Sequence, residues 1–424
     1  MASPLLISHS DGGGGADRAA HRILQAVALH EPDVTMWVAE KVTGDPRVST
    51  FADVLGSEPR WKAFLRSTSE DLPLYLQKST NPVHRSFNLV PRGINAAIEQ
   101  RDPSVVHLHW LGQATLSLKE IGNLPGPIVW TLHDSWPFCG AEHHPEDPYD
   151  RRFENAYSSD SRRPGNTRID MDAWVYQRKV RWFQQPRWLV GPSQWMVDQA
   201  RTANLTHEWP SSVIPNPIDT QVFAPIGQDH ARSRWNMPRD ARVALFGGMA
   251  ASAIHGKGWD LLDSALANLP AAQAPWELWT FGGPSPVTSV HGVRVHSLGV
   301  IEDPRELASL YSAANVHVVP SRMESFSQTA AESIACGTPV VAFRVGGLPD
   351  VVRDERVGIL VDPFDTRAFA RAMERGVELK VQTGSIGPEL AHAWRPETVG
   401  RQYVETYELA REYWENRIRR KPRT

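Results

Sequence analysis

An α/β protein with two doubly wound parallel sheets is the fold this sequence predicts. Two series of short apolar runs carry the prediction. Each run is bounded by turn residues and separated from the next by a longer helical pattern, as buried parallel strands alternate with crossover helices. Between the two series the stretch VIPNPIDTQVFAPI, around residues 213–226, is rich in Pro and reads as a linker. The 424 residues exceed one ordinary core, at roughly 150 residues per domain.

In the first series the expected strands are Pro4–Ser8, Val34–Ala39, Val105–Leu108, Ile128–Leu132, Trp188–Val190 and Val213–Ile214. In the second they are Val243–Phe246, Trp276–Phe281, Val293–His296, Val316–Val319, Pro339–Phe343 and Ile359–Val361. Two separate series imply two Rossmann-like domains facing across a cleft, with expected bounds of 1–220 and 221–395. From Pro396 the spacing of Val399, Tyr403, Tyr407 and Leu409 to Ala410 is helical, so 396–424 is expected to cross back to the N-terminal domain. That segment ends in the basic run Arg417, Arg419, Arg420, Lys421 and Arg423. Pro137 to Asn166 has little periodicity and many charges, and reads as a long loop inserted in the first domain.

Composition narrows the function. A net charge of −3 lacks the basic surface that nucleic acid demands, so nucleic acid is not the expected partner. Cys139 and Cys336, far apart, support neither a disulfide framework nor a cysteine metal site, and fit a reducing compartment. The first residues contain no charged leader with a long apolar stretch, and no run of about 18 apolar residues occurs. A cytoplasmic location is expected, at the inner face of the membrane if the substrate is membrane-bound. Trp, with 16 copies, points first to core and interface packing and only weakly to sugar stacking.

The strongest local pattern is VHVVPSRMESFSQTAAESIACGTPVVAFRVGG, residues 316–347. It reads as a strand, a turn, a helix starting near Ser325 or Phe326, a stop at Gly337, a second strand and a Gly-Gly turn. A helix N-terminus at the carboxyl end of a parallel strand offers free N–H groups to an anion, and a diphosphate is the obvious one. On a continuous helix Glu324 and Glu332 stand about 12 Å apart in rise and roughly 80° in rotation. Carboxylates so placed reach opposite ends of an elongated ligand, although a helix-start acid and a solvated acid explain the spacing as well.

Glu324 to Glu332 is an E-x7-E element, and with ACGTPVVAFRVGGLPDVV after it the run resembles the donor site of glycosyltransferase family 4, retaining enzymes of GT-B fold. Further pieces stand in matching order: the turn Gly12 to Gly15, TLHDSWPF at 131–138, GPSQW at 191–195, VIPNPID at 213–219 and GKGWDLL at 256–262. The resemblance implies sugar transfer from a nucleotide-sugar donor to a saccharide or lipid-linked acceptor, with retention and without a metal or other cofactor. It places Glu324 on hydroxyls of the transferred sugar, with Ser325, Phe326, Ser327 and Gln328 beside it, and Glu332 on the ribose. Lys257, after Gly247 and Gly248, is placed on the diphosphate, and Gly14, Gly15 and Gly248 against the donor. His133, at a strand end, is placed facing the sugar. The chain departs from the family at GGMAASAIHGKG, which lacks the Arg many members carry about five residues before the Lys; His255 and Arg322 are the alternative cations.

Several features stay open at this level. Asp134, His143 and His144 are expected on the acceptor side; with Glu142 they also form a possible metal set, though adjacent residues rarely converge on one ion. Gly12 to Gly15 fails the G-x-G-x-x-G register, since Asp17 or Arg18 stands where the third Gly belongs, and close backbone approach across the cleft explains the glycines better. Glu40, after the second strand, keeps a nicotinamide-dependent oxidoreductase as an alternative, and a non-catalytic sugar-binding subunit is another. Between Arg151 and Arg187 lie Arg152, Arg162, Arg163, Arg168, Arg178, Lys179 and Arg181, interleaved with Trp174, Trp182 and Phe183. That pattern makes an anionic membrane surface a further expected partner.

Overall fold

The structure is a computed structural model that describes all residues except 1, 80–82, 146–149, 163–164, 249–253, 271–274, 285–286 and 421–424, with the side chains of 418–420 also left aside. Arg163, Lys421, Arg423 and the position of the expected diphosphate Arg therefore lie outside the described residues, as do the side chains of Arg419 and Arg420. The chain divides into two compact units, Met1–Pro215 with Val399–Thr424, and Asn216–Thr398.

The first unit is built on seven strands: β1 (Leu5–Ser10), β2 (Thr35–Glu40), β3 (Val48–Thr50), β4 (Val106–Leu108), β5 (Ile128–Thr131), β6 (Trp188–Gly191) and β7 (Ser211–Val213). They are hydrogen-bonded in the order β3-β2-β1-β4-β5-β6-β7, all parallel. The first six strands follow the doubly wound order, which reverses between β1 and β4. Alternation along β1 shows why both faces are covered: Leu5 and Ile7 enter one apolar cluster and Leu6 the other.

The second unit repeats the plan with β8 (Arg242–Gly247), β9 (Trp276–Phe281), β10 (Ser289–Val290), β11 (Val293–Ser297), β12 (Val316–Val319), β13 (Val340–Phe343) and β14 (Gly358–Val361). Its order is β10-β11-β9-β8-β12-β13-β14, with only the β10–β11 pair antiparallel. Reversal falls between β8 and β12. The two edge pieces β3 and β10 were not expected from sequence; at three and two residues they are too short to show a period.

Six helices position the candidate sites and the surface around them: α1 (Gly15–Ala28), α2 (Arg60–Leu76), α3 (Met171–Trp182), α4 (Trp259–Leu266), α5 (Gln328–Ala335) and α6 (Pro396–Arg420). The apolar positions of α6 bury Val399, Tyr403, Tyr407 and Ala410 against the first sheet's cluster. Gly400 lets the helix backbone come close to α1, where a Cβ would stand 2.1 Å from the Ala26 carbonyl oxygen. Between Pro137 and Asn166 the described residues hold no α-helix and no strand, only a short 3-10 turn at Ser159–Ser161 and an isolated bridge at Glu142. The loop's first part is nevertheless interior: Phe138, Cys139, Glu142 and His143 are buried. Lys179 holds it by donating to the carbonyls of Trp136, Cys139 and Gly140.

Candidate active site

The carboxyl ends of β8 and β12 lie side by side at the second sheet's reversal point, where open α/β sheets bind ligands. Lys257 follows β8 through the short 3-10 turn His255–Lys257, and Glu324 follows β12. Their side chains meet, Lys257 Nζ donating to Glu324 Oε1 at 2.7 Å, and the Ser321 hydroxyl donates to the same oxygen at 2.8 Å. Glu324 is thereby fixed while Lys257 stays about one-third exposed, which leaves an ammonium with open donor capacity beside a held carboxylate.

Backbone close approach sets this geometry. Gly258 has φ +74°, and a Cβ there would sit 2.0 Å from the Pro320 carbonyl oxygen, so only Gly lets the Lys257 turn lie on the end of β12. Gly346 has φ +55°, a Cβ there would stand 2.1 Å from the Glu324 carbonyl oxygen, and Gly347 N–H donates to that oxygen at 2.8 Å. The Gly-Gly turn after β13 is thus the platform on which Glu324 sits.

Helix α5 begins at Gln328, not at Ser325 or Phe326 as the sequence suggested. Ser327 caps it in the left-handed region at φ +77°, a conformation that breaks any helix running in from Glu324. Glu324 and Glu332 are therefore not on one continuous helix, and the 12 Å rise expected for that case does not apply. Phe326 is buried, edge-on to Trp394 at 6.1 Å, which anchors the turn. Gln328 Nε2 is buried with no hydrogen-bond partner, an amide donor left for a ligand. Glu332, a turn along α5, is buried and accepts from Tyr311 Oη at 3.1 Å. Gly248, at the end of β8, has φ +135° and donates to the Phe281 carbonyl at 3.3 Å.

The two alternative cations differ in their engagement. The Arg322 guanidinium forms a bidentate pair with Asp260 at 2.8 and 2.6 Å and donates to the His255 carbonyl at 2.9 Å. It clamps the Lys257 turn to α4. His255 is exposed.

In the first unit, His133 follows β5 and is buried, its Nε2 sharing a hydrogen bond with His109 Nδ1 at 3.0 Å. The His109 ring lies tilted against that of His107, with centroids 4.1 Å apart, and His107 bonds Thr131 Oγ1 and Tyr407 Oη, each at 2.8 Å. Thr131 in turn bonds Tyr403 Oη at 3.0 Å. Helix α6 thus braces the strand end that carries His133. Burial pulls the His133 pKa down to about 4, so near neutral pH the ring is an uncharged hydrogen-bonding group.

Asp134 and His143 come together at 2.5 Å, with Trp110 Nε1 donating to Asp134 at 2.6 Å and His143 Nε2 at 2.8 Å from Ser86 Oγ. Although burial acts against it, the nearby His143 and its hydrogen bond hold the Asp134 pKa at about 2. Glu142 turns away, toward the Tyr157 hydroxyl, and His144 is half-buried. Among the described residues no group of three or more His, Cys, Asp or Glu is arranged to hold a metal ion.

The turn Gly12 to Gly15 leads from β1 into α1, which Gly14 caps. Gly14 N–H donates to Asp17 Oδ2 at 3.1 Å, and chiefly burial raises the Asp17 pKa to about 6. The close approach expected for these glycines is local: a Cβ on Gly12 would stand 3.0 Å from Val42 Cβ of the same unit, while Gly13 and Gly15 face open space. His109, Trp110 and Tyr311 were not singled out from sequence. The alternation of His107 and His109 in VHLHW, which puts both on one face of β4 and its extension, was the available signal for one of them.

Comparison with known proteins agrees with this arrangement. Residues 13–222 match the family profile described as Glycosyltransferase Family 4, and residues 241–378 match that of Glycosyl transferases group 1. D-inositol 3-phosphate glycosyltransferase of Acidothermus cellulolyticus is 37% identical over 199 residues, 43% of this chain and 44% of that protein. The enzyme of the same name from Nocardioides sp. is 34% identical over 244 residues, 51% of this chain and 52% of that protein. The chain thus spans about half the length of the curated relatives it matches. Among solved structures, sucrose-phosphate synthase from Thermosynechococcus elongatus superposes with TM-score 0.67 at 22% identity, covering 96% of this chain and 98% of that one. Anabaena HepE in complex with UDP-glucose gives TM-score 0.61 at 15% identity, covering 96% and 100%. The two profiles follow one another along most of the sequence, and the two doubly wound sheets are those of the GT-B fold: the chain belongs to glycosyltransferase family 4, the group 1 glycosyltransferases.

Proposed function

We propose that this protein transfers a sugar from a nucleoside-diphosphate sugar to a hydroxyl acceptor, with retention of anomeric configuration. The observation that carries the proposal is the Lys257–Glu324 pair at 2.7 Å, set at the sheet's reversal point just before the α5 N-terminus. Family membership sets aside the nicotinamide alternative, and Anabaena HepE, whose structure contains UDP-glucose, shares the fold.

Each group then has a chemical task. Breaking the bond between the anomeric carbon and the phosphate oxygen sends an electron pair to that oxygen, so negative charge grows on the diphosphate. Lys257 and the N–H groups at the start of α5 meet that charge as it develops, which is where electrostatic stabilisation accelerates the reaction. Glu324, Ser325, Phe326, Ser327 and Gln328 surround the sugar hydroxyls, with the Gln328 amide as a spare donor. Glu332 takes the ribose, and Gly14, Gly15 and Gly248 lie against the donor. His133, neutral, hydrogen-bonds the transferred sugar. A double displacement needs a carboxylate nucleophile on the face opposite the leaving group, and the one acid the motif brings to the sugar, Glu324, is assigned here to its hydroxyls. The acceptor oxygen instead bonds the anomeric carbon from the face the phosphate leaves, and its proton passes to the departing phosphate oxygen. No step calls for a metal ion.

For the acceptor, Asp134, His143 and His144 are the residues we assign. The name shared by the curated relatives favours a phosphorylated polyol such as an inositol phosphate; a saccharide or lipid-linked acceptor in surface polysaccharide or glycoconjugate synthesis, at the cytoplasmic face of a membrane, is the other class. Thermal shift across a nucleotide-sugar panel tests the proposal, because a ligand bound to the folded state raises stability by mass action. One nucleoside diphosphate and its sugar should raise the melting temperature of the wild type, and raise that of Glu332→Ala less at the same concentration; no shift with any member of the panel would overturn it.

A further inference from the structure

Helix α2 is amphipathic in the reverse sense for a soluble protein. Trp61, Phe64, Leu65, Leu72, Tyr75 and Leu76 are all exposed, Trp61 by 60%, Phe64 by 68% and Tyr75 by 75%. At ~100° per residue these six point within an arc of about 120°. The side attached to the protein carries the buried Pro73 together with two polar groups, and Leu74, which lies off the stripe, is exposed as well. Arg66 is buried and pairs with Glu58, and Glu70 accepts the N–H groups of Phe87 and Asn88 at 2.8 and 2.7 Å. A surface helix ordinarily turns its apolar stripe to the core and its charges to water. Here the fold keeps the charges and presents the stripe.

The stripe continues beyond the helix. Ile169, 54% exposed, donates its N–H to the Leu76 carbonyl at 3.1 Å and leads into α3, where exposed Trp174 lies under the Arg178 guanidinium at 4.9 Å. Helical spacing puts Arg181 on the same face as Trp174 and Arg178. Cations border the apolar surface: Arg60 and Lys62 at the start of α2, Lys78 just past its end, and Arg168 donating to the Tyr75 carbonyl. Of the two acids on α2, Glu70 is engaged with the backbone and Asp71 alone is exposed.

We propose that this face of α2, with Ile169 and the Trp174–Arg178 edge of α3, is a membrane-docking surface for anionic lipid. Aromatic and aliphatic side chains at helical spacing enter the interfacial layer while bordering cations meet the headgroups, as in peripheral amphipathic helices. Charge selects lipid over a second copy of the chain, because a two-fold contact lays a patch on itself and would set these cations against their own kind. The surface refines the membrane partner expected from residues 151–187 and shifts its centre: Arg152, Lys179 and Arg187 of that segment are buried and face no membrane. It rests on no feature of the donor site, so its failure leaves the transferase proposal untouched.

Co-sedimentation of the full chain with vesicles of phosphatidylcholine, with and without phosphatidylglycerol, tests it. The wild type should pellet with the anionic vesicles, stay in solution with pure phosphatidylcholine, and be released by high salt. The double variant Phe64→Glu/Leu72→Glu should lose on the order of tenfold or more in partitioning, with an unchanged melting temperature, since both residues are exposed. Lys62→Gln/Arg178→Gln, which leaves the stripe intact, should weaken binding to the anionic vesicles alone. A wild type indifferent to vesicles, or a Phe64→Glu/Leu72→Glu variant that folds and pellets like it, overturns the proposal. So does light scattering that shows a wild-type dimer split by that variant, which would make the stripe an interface between copies.

Discussion

Replacing Lys257 by Ala isolates the charge that the proposed mechanism depends on. In the free protein the loss is small: the pair with Glu324 is about one-third exposed on the lysine side, and the Ser321 hydroxyl still holds the carboxylate. An ion pair so exposed contributes roughly 0–1 kcal/mol to stability, so the melting temperature should fall by no more than a few degrees. In the reaction the same ammonium meets a diphosphate whose charge increases as the glycosyl bond breaks. A hydrogen bond to a charged group is worth about 1.5–3 kcal/mol, and at ~1.4 kcal/mol per factor of ten this predicts a drop in kcat/KM of roughly 10- to 150-fold. Because the interaction strengthens toward the transition state, kcat should carry most of the loss. Initial rates of nucleotide release over a range of donor concentrations measure the split. An unchanged kcat with a raised KM would show that Lys257 only helps the donor bind; an unchanged kcat/KM would remove it from the site.

Other parts of the structure carry further expectations. Glu332→Ala should weaken binding of the free nucleoside diphosphate roughly tenfold or more, read by calorimetry, since a bond to ribose is lost, whereas Glu324→Ala should spare nucleotide binding and lower turnover; equal effects on both would mean the roles are exchanged. Gly346→Ala forces a side chain into a left-handed position 2.1 Å from the Glu324 carbonyl, so turnover should fall with the melting temperature, and wild-type activity in a folded variant would show that the platform does not position Glu324. Burial lowers the pKa of His84, His133 and His317 to about 4 and carries His107 and His109 well below the ordinary value. The unfolded chain therefore binds more protons between about pH 6.5 and 4, and stability falls as pH falls through that window, by up to ~1.4 kcal/mol per histidine per pH unit. Urea midpoints at pH 7.5 and 5 measure this, and equal midpoints would contradict the burial.

Much of the fold was legible because parallel strands buried on both faces are written as short apolar runs. All twelve expected strands are present within a few residues of their expected bounds, Trp276–Phe281 and Val316–Val319 to the residue. What was not legible depends on tertiary detail. The α5 start is displaced to Gln328 because Ser327 takes a left-handed conformation, and nothing in the local composition of ESFSQ announces it. Tyr311 reaches Glu332 from 21 residues away, and His109 reaches His133 from 24, both across neighbouring elements. The clearest misreading concerns charge: Lys179 and Arg187 look like surface cations in sequence, yet one caps three carbonyls and the other is fully enclosed beside Phe183 and Trp209. The exposed stripe of α2 escaped notice for the converse reason, since apolar spacing at i, i+3 and i+4 reads as a core face whichever way the helix is turned.

No helix among the described residues is long and apolar enough to cross a membrane. The donor chemistry can be tested apart from any membrane. The most direct measurement is the anomeric configuration of the product, by NMR, after turnover of the nucleotide sugar that the binding panel identifies, with and without EDTA. We expect the donor's configuration to be kept and the rate to be unaffected by the chelator. An inverted product, or activity that EDTA abolishes and a divalent ion restores, would contradict front-face transfer assisted by Lys257 and the start of α5.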